Sequence, residues 1–383
     1  MNNATERALQ SLETPHALVD EAKMLENIRQ VAEYAQLHGI AHRPHVKTHK
    51  SRWVASQQLK AGAQGLTCAT SREAEEMATI CDDLLIAYPP VDPRRIERLL
   101  ALPSRVRLSF ALDSLTAIQR IARATEEKNR TVDLLLEIDF GGKRTGLAPH
   151  ENLTQLIEAI NASATLRWKG LFFHAGNLLA PRLDHLAPQT DRNIQELEEG
   201  CKSLDRELNE LLARLKAEGH VPEVVSGGNT PTLYHGHLIR GMTEMRAGTY
   251  VFSDRDIASQ GVCATKDCAY SLLATVISTQ VPGQAVVDAG TKAVAKEVEP
   301  GLEGYGYVAE YPEVIVREMN EEHGILDLSN TAWRPAVGDR VQIVPNHVCV
   351  SVHLQDEIAY ISESGNITVR PVDARGRPRK RID

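Results

Sequence analysis

Residues 132–138 read Val132-Asp133-Leu134-Leu135-Leu136-Glu137-Ile138, a nearly continuous apolar run. A strand with one solvated face alternates apolar and polar residues. A run like this one expects burial on both faces, as in a parallel sheet covered by helices. Working outward, strand-like runs alternate with helical periods. Upstream are the segment ending at Lys47, then Leu66–Ala69, Leu84–Ala87 and Val106–Leu112; downstream are Trp168–Phe173, Glu223–Val225 and Met245–Phe252. Asp20 is placed to cap a helix carrying Leu25, Ile28, Ala32 and Ala35 at helical spacing. Thr70 and Glu73 have the spacing of a capping box, and Asp113 or Ser114 is placed to cap the helix through Ile118 and Ile121. Pro149–Ile160 and Asp191–Glu218 read as further helices. Eight such units predict an α/β fold of the (β/α)8 TIM-barrel type, with an open doubly wound sheet as the alternative.

After about residue 256 the pattern changes to short β-like runs at 272–277, 285–288, 305–309, 314–317, 341–344 and 357–361, separated by Gly and Pro turns. The expected division is residues 1–255 for the barrel and 256–383 for an all-β domain. The N-terminal run Ala17-Leu18-Val19 is free to join the second domain.

The composition is that of an ordinary soluble protein: 383 residues, 42% hydrophobic and 25% charged. A net charge of −8 and a pI near 6.0 argue against nucleic acid or an anionic membrane as partner. No run approaches the roughly 20 apolar residues of a membrane span, and the N-terminus has no signal-peptide core. A cytoplasmic protein with six reduced cysteines is expected.

The chemistry gathers at strand ends. Arg43-Pro44-His45-Val46-Lys47-Thr48-His49-Lys50 places one lysine where a strand should stop, because Pro44 donates no ladder hydrogen bond. Neighbouring positive charge and partial burial both lower a lysine's pKa and free its amine to attack a carbonyl. The bland alternative is a solvated basic loop. Gly227-Gly228-Asn229-Thr230, with Gly248-Thr249 beside it, has the composition of an anion cradle, or else of two ordinary βα turns. Arg144, flanked by Gly142 and Gly146, could donate to an anion or pair with Asp139; His174 ends an apolar strand and is a catalytic candidate or a core histidine. Lysine, cradle and arginine on one barrel mouth suggest pyridoxal 5'-phosphate held as a Schiff base on Lys47. His347 and Cys349 lie two apart in an expected strand, so they share a face and could bind Zn²⁺ while leaving positions for water or substrate; chance is the alternative.

Together, RPHVKTHK, EIDFGGKRTG, FFHAGN, SGGNTPT, EMRAGTYVFSD, VVDAGTKA, EEHG and PNHVC, in this order, resemble the metal-activated D-serine dehydratase and D-threonine aldolase family. These are fold-type III pyridoxal-phosphate enzymes with an alanine racemase-like barrel. The resemblance implies Lys47 as Schiff-base lysine and α-proton base, with Arg144 and His174 against the cofactor ring. It implies cofactor contacts from Asn177, Gly228, Asn229, Thr230, Gly248 and Thr249, and a zinc (or manganese) site at His347 and Cys349. The aldolases typically carry aspartate at the cysteine position, so Cys349 leans toward a dehydratase. That enzyme would remove the β-hydroxyl of a D-3-hydroxy amino acid to give a 2-oxo acid, pyruvate from D-serine, and ammonia. An aldolase giving glycine and an aldehyde is the alternative, and a cofactor carrier without turnover the second. Leu179 stands where tyrosine is common in the dehydratases, and VSVHLQD follows Cys349 in place of a threonine-containing form. A homodimer is implied.

Overall fold

The computed structural model describes residues 9–176, 178 and 191–376. Asn177, Leu179 and the basic tail from 377 lie outside them. The chain enters through β1 (His16–Asp20) and passes directly into α1 (Glu21–His38). The Asp20 carboxylate accepts the Lys23 amide at the start of this helix, and Gly39, left-handed at φ 64°, ends it.

Eight parallel strands then form one curled sheet. They are β2 (Ala41–His42), β3 (Leu66–Cys68), β4 (Asp83–Ile86), β5 (Arg107–Leu112), β6 (Val132–Ile138), β7 (Leu166–Phe173), β8 (Val224–Gly227) and β9 (Glu244–Met245). Their spatial order is β2-β9-β8-β7-β6-β5-β4-β3, every pairing parallel. The ring closes just after β2. The Thr67 amide donates to Pro44 O and the Val46 amide to Thr67 O, each at 2.9 Å, around a bridge between His45 and Thr67. Pro44 is tolerated there because only its carbonyl is needed. β6 is buried at every position. Of its two acids, Asp133 takes Arg167 Nε at 2.8 Å, and Glu137 takes the Thr145 hydroxyl on Oε1 at 2.7 Å while its Oε2 is buried without a hydrogen-bond partner among the described residues.

The helices α2 (Arg52–Lys60), α3 (Ser71–Met77), α4 (Pro93–Leu100) and α5 (Leu115–Lys128) are each capped by a side-chain oxygen that accepts the amide three residues on, from Ser51, Thr70, Asp92 and Ser114. Asp113 does not cap; it accepts the Gly146 amide at 3.1 Å. Only half of the Thr70–Glu73 box forms, because the Glu73 carboxylate turns to the Ala69 amide and to Lys50. α6 (Thr154–Asn161) starts later than the sequence suggests, and α7 (Asp191–Ala217) is the long amphipathic helix. None of the described helices is long and apolar enough to cross a membrane.

The expected last barrel strand is cut short. β9 stops at Met245 and residues 249–251 form a 3₁₀ turn. The amides of Gly248 and Thr249 leave the ladder and donate to the Thr230 hydroxyl at 3.3 and 3.1 Å. A short α8 (Arg255–Ser259) follows.

The second sheet is β10 (Tyr270–Ser278), β11 (Gln284–Val287), β12 (Gly306–Val308), β13 (Tyr311–Met319), β14 (Gly324–Asp327), β15 (Arg340–Pro345), β16 (Glu357–Ile361) and β17 (Ile367–Pro371), with β1 between β10 and β16. All its pairings are antiparallel except β1–β16, and the extra β10–β11 pairing closes β10 to β15 into a barrel. α9 (Val348–Leu354) follows β15.

Candidate active site

Lys47 sits in the turn that leaves the ring after β2, and the Lys50 amide closes that turn on Val46 O at 2.8 Å. Lys50 is held at a left-handed φ of 50°, with its buried ammonium paired to the buried Glu73 carboxylate. Lys47 itself is exposed at the mouth, not partly buried as its setting suggested. It lines a cavity of about 220 Å³ with Arg144, His174, Gly228, Asn229, Thr230, Gly248, Thr249 and His347. Nine of the eleven expected site residues therefore share one cavity. Of the other two, Asn177 lies outside the described residues. Cys349 sits just behind the wall, its sulfur 3.2 Å from Thr48 Oγ1 and 3.8 Å from Thr249 Oγ1.

The cradle is a tied pair of loops. Thr230 Oγ1 accepts from the 248 and 249 amides, so the loop after β8 grips the turn after β9. Asn229 spends its side chain on this architecture, donating to Ala175 O at 3.0 Å and accepting from the Thr232 amide and hydroxyl. Gly248 must be a glycine, since a Cβ there would stand 2.7 Å from His45 O. Its absence lets this turn press against the one that carries Lys47. Arg144 forms no pair with Asp139, whose carboxylate is occupied by the Gly141 and Lys143 amides.

Two residues that matter were given no role from the sequence, though both lie in the block EMRAGTYVFSD. Arg246 is buried, stacks on Phe172 with its guanidinium carbon 3.6 Å from the ring centroid, and donates to Ser226 Oγ at 2.7 Å and Phe173 O at 2.5 Å. Burial pulls its pKa down to about 9. The signal was an arginine inside the apolar stretch EMRAGTYVF. The other is Asp254, buried next to His347.

The charge balance is cationic. Lys47, Arg144 and Arg246 line the cavity against the single carboxylate of Asp256. Burial first, then Arg144, Arg246 and Lys47, pushes His174 down to about 3, and burial with Lys47 pushes His45 well below its usual value. Both rings are neutral near pH 7, so each can accept as well as donate.

His347 and Cys349 are not on a strand. β15 ends at Pro345, His347 is the extended N-cap of α9, and Cys349 lies in that helix's first turn. The pair still meets, because an N-cap side chain and one from the first turn converge. Burial disfavours a charged His347, yet the Cys349 sulfur and the Asp254 carboxylate outweigh it and raise its pKa to about 12. Burial raises a thiol's pKa, yet the His347 ring, Lys47 and the Thr48 hydroxyl pull Cys349 below its ordinary value. Among the described residues no third His, Cys, Asp or Glu joins them in a metal-holding group. The pair fits a metal that keeps positions open for water or substrate, the catalytic style of site. The lysine, the cationic wall and the glycine-permitted turn fit an aldehyde cofactor bearing an anionic group. A larger cleft of about 820 Å³ lies between α1 and α2, away from these groups.

Residues 19–256 match the model of the alanine racemase N-terminal domain, and residues 269–361 that of a putative serine dehydratase domain. The chain is 35% identical to a D-threo-3-hydroxyaspartate dehydratase of Delftia sp. (strain HT23), over 90% of this chain and 92% of that one. It is 24% identical to a D-serine dehydratase of Dictyostelium discoideum, over 94% and 96%. Among solved structures, a D-threonine aldolase from Filomicrobium marinum superposes with a TM-score of 0.84 at 27% identity, covering 95% of this chain and 96% of that one. A Cys→Ala variant of a D-threo-3-hydroxyaspartate dehydratase, solved in a metal-free form, superposes with a TM-score of 0.82 at 32% identity, covering 94% and 97%.

Proposed function

The chain belongs to the family that joins an alanine racemase N-terminal domain to a serine dehydratase domain, and on that premise we propose a lyase that removes water from a D-3-hydroxy amino acid, using pyridoxal 5'-phosphate and a divalent metal. Water then hydrolyses the enamine left by the elimination, and the products are a 2-oxo acid and ammonia. The observation that carries this reading is that Lys47 and His347 line one cavity, with Cys349 touching the turn that bears Lys47. A base for the α-proton and a metal for the β-hydroxyl are then within reach of one small substrate.

Each residue has a role in this reading. Lys47 holds the cofactor and, once its amine is free, takes the α-proton. Thr230, Gly248 and Thr249 hold the phosphate end, with Gly228 and Asn229 alongside. Arg144 and His174 flank the ring, and Asn177 keeps the cofactor-binding role that the resemblance implies. Bound there, the cofactor supplies an electron sink for the charge left at Cα. His347 and Cys349 hold the metal, zinc or manganese, which would polarise the β-hydroxyl and make it a better leaving group. His174 and His45, both neutral, orient substrate by hydrogen bonds without adding charge.

The cationic wall bears on the choice of substrate. Three basic side chains against one carboxylate suit an amino acid with a second carboxylate, and the Delftia relative is a hydroxyaspartate dehydratase. D-threo-3-hydroxyaspartate therefore stands beside D-serine as a test substrate. The aldolase reading is kept because a 3-hydroxy-D-aspartate aldolase of Paracoccus denitrificans is 28% identical over 96% of the chain. Purified protein with pyridoxal phosphate is given each substrate, with and without a chelator. Chelator-sensitive ammonia, with pyruvate from D-serine or oxaloacetate from hydroxyaspartate, is expected. Glycine with glyoxylate from hydroxyaspartate, or with formaldehyde from D-serine, would move the assignment to aldolase. A homodimer is part of the proposal, and light scattering tests it.

A further inference from the structure

Asp254 is fully buried and uses both carboxylate oxygens. Oδ1 accepts the Ile257 amide at 2.9 Å and caps α8. Oδ2 accepts the Val348 amide at 2.9 Å and faces His347 Nδ1 at 3.2 Å. One side chain at the end of the barrel thus starts two helices, and one of them carries His347 and Cys349. α9 has no side-chain cap of its own from His347, so Asp254 supplies the acceptor its first amide lacks.

We propose that Asp254 is a positioning residue for the metal: it holds His347 as the Nδ1–H tautomer and turns Nε2 toward the ion. A carboxylate can only accept, so the ring nitrogen facing it must carry the hydrogen. The other nitrogen is then the one that gives up its proton and offers its lone pair when a metal binds. Ligating histidines commonly have such a partner, and losing it typically costs about 10–100-fold in metal affinity. The Val348 bond adds direction: it fixes the backbone next to the ring to the same oxygen, so ring and helix start cannot swing independently. This inference rests on reading His347 and Cys349 as metal ligands, and it assigns Asp254 to the metal site over and above its cap of α8.

The cap is the competing structural role, and Asp254→Ser separates the two. Serine is as good an N-cap as aspartate, so the Ile257 bond can persist, but its short hydroxyl leaves His347 and Val348 without their acceptor. Zn²⁺ affinity is measured by competition with a chromophoric chelator, and pyridoxal phosphate uptake by absorbance. The expected result is a 10–100-fold weaker Zn²⁺ site with cofactor uptake within about twofold of the parent. Unchanged Zn²⁺ affinity in a variant that takes up cofactor overturns the proposal. Should the serine variant not fold, ¹⁵N-histidine spectra of the unaltered Zn²⁺-loaded protein decide. Nδ1–H with Nε2 on the metal supports the assignment, and the opposite tautomer overturns it. His347→Ala separates this inference from the reading beneath it. Retained Zn²⁺ affinity there sinks the metal site itself, whereas loss there with none in Asp254→Ser sinks only the role of Asp254.

Discussion

Thr48 Oγ1 lies 3.2 Å from Cys349 Sγ, across 301 residues of sequence. The residue beside Lys47 is therefore bonded to one of the two proposed metal ligands. Thr249 Oγ1 approaches the same sulfur at 3.8 Å from the cradle side. Hydroxyls donating to a thiolate stabilise its charged form, and a hydrogen bond to a charged group contributes about 1.5–3 kcal/mol. Thr48→Val keeps the branched shape and removes the donor. Metal affinity should fall at least about tenfold while cofactor binding is kept. Chelator competition reads it, and an unchanged affinity would show that the contact has no energetic weight.

Lys47→Ala removes both the cofactor tether and the proposed base. Turnover should fall by at least about 10³-fold, since general acid–base catalysis alone accounts for about 10²–10⁴. Borohydride reduction should no longer fix cofactor to the chain, and mass spectrometry of the reduced protein checks this. Zn²⁺ binding should survive, because Lys47 is not a ligand. A variant that still traps cofactor on another lysine would remove Lys47 from its assigned role.

The barrel was legible because its signals are local. Asp20, Thr70 and Ser114 cap within three residues of themselves, and the β6 run needs no partner to declare its burial. Lys47 was legible because Pro44 marks where a ladder must stop. The second sheet was less so. β17 is an edge strand with no fully buried position, so it carries no alternation to read, and β14 is only four residues long. His347 and Cys349 lie together, but at a helix start and not through the period-two strand geometry from which the sequence paired them. The contacts of Thr48 and Asp254 with that pair were invisible, because partners 301 and 93 residues away leave no local mark. The buried Arg246 broke the apolar pattern of its segment, yet nothing near it in sequence named Phe172 and Ser226 as its seat.

Lys50 and Glu73 form a buried ion pair beneath the turn that carries Lys47, and Glu73 also takes the Ala69 amide at 2.6 Å. Removing one partner of such a pair typically costs about 3–5 kcal/mol, because the remaining charge stays buried and unpaired. Glu73→Gln should therefore lower the unfolding free energy by that order, read from denaturant melts, and weaken cofactor capture along with it. The double change Glu73→Gln with Lys50→Met should recover much of the stability. If the single variant is as stable as the parent, the pair does not hold the turn.

Stability should fall as the solution is acidified, beginning well above the range where carboxylates titrate. His42 and His49 are buried outside the cavity, 6% and 0% exposed, and burial pushes their pKa values to about 4 and about 3. An unfolded histidine titrates near 6.5. Above pH 6.5 both states are neutral and these residues have no pH effect. Below it the unfolded chain binds protons that the folded chain refuses, so unfolding is favoured progressively until the folded values are reached. Each such histidine costs about 2 kcal/mol by pH 5. The urea midpoint measured from pH 7.5 to 5 should drop steeply, and His42→Asn should flatten that slope by roughly the contribution of one histidine. A midpoint that stays level to pH 5 would mean that the folded protein protonates these rings, contradicting their buried, neutral state.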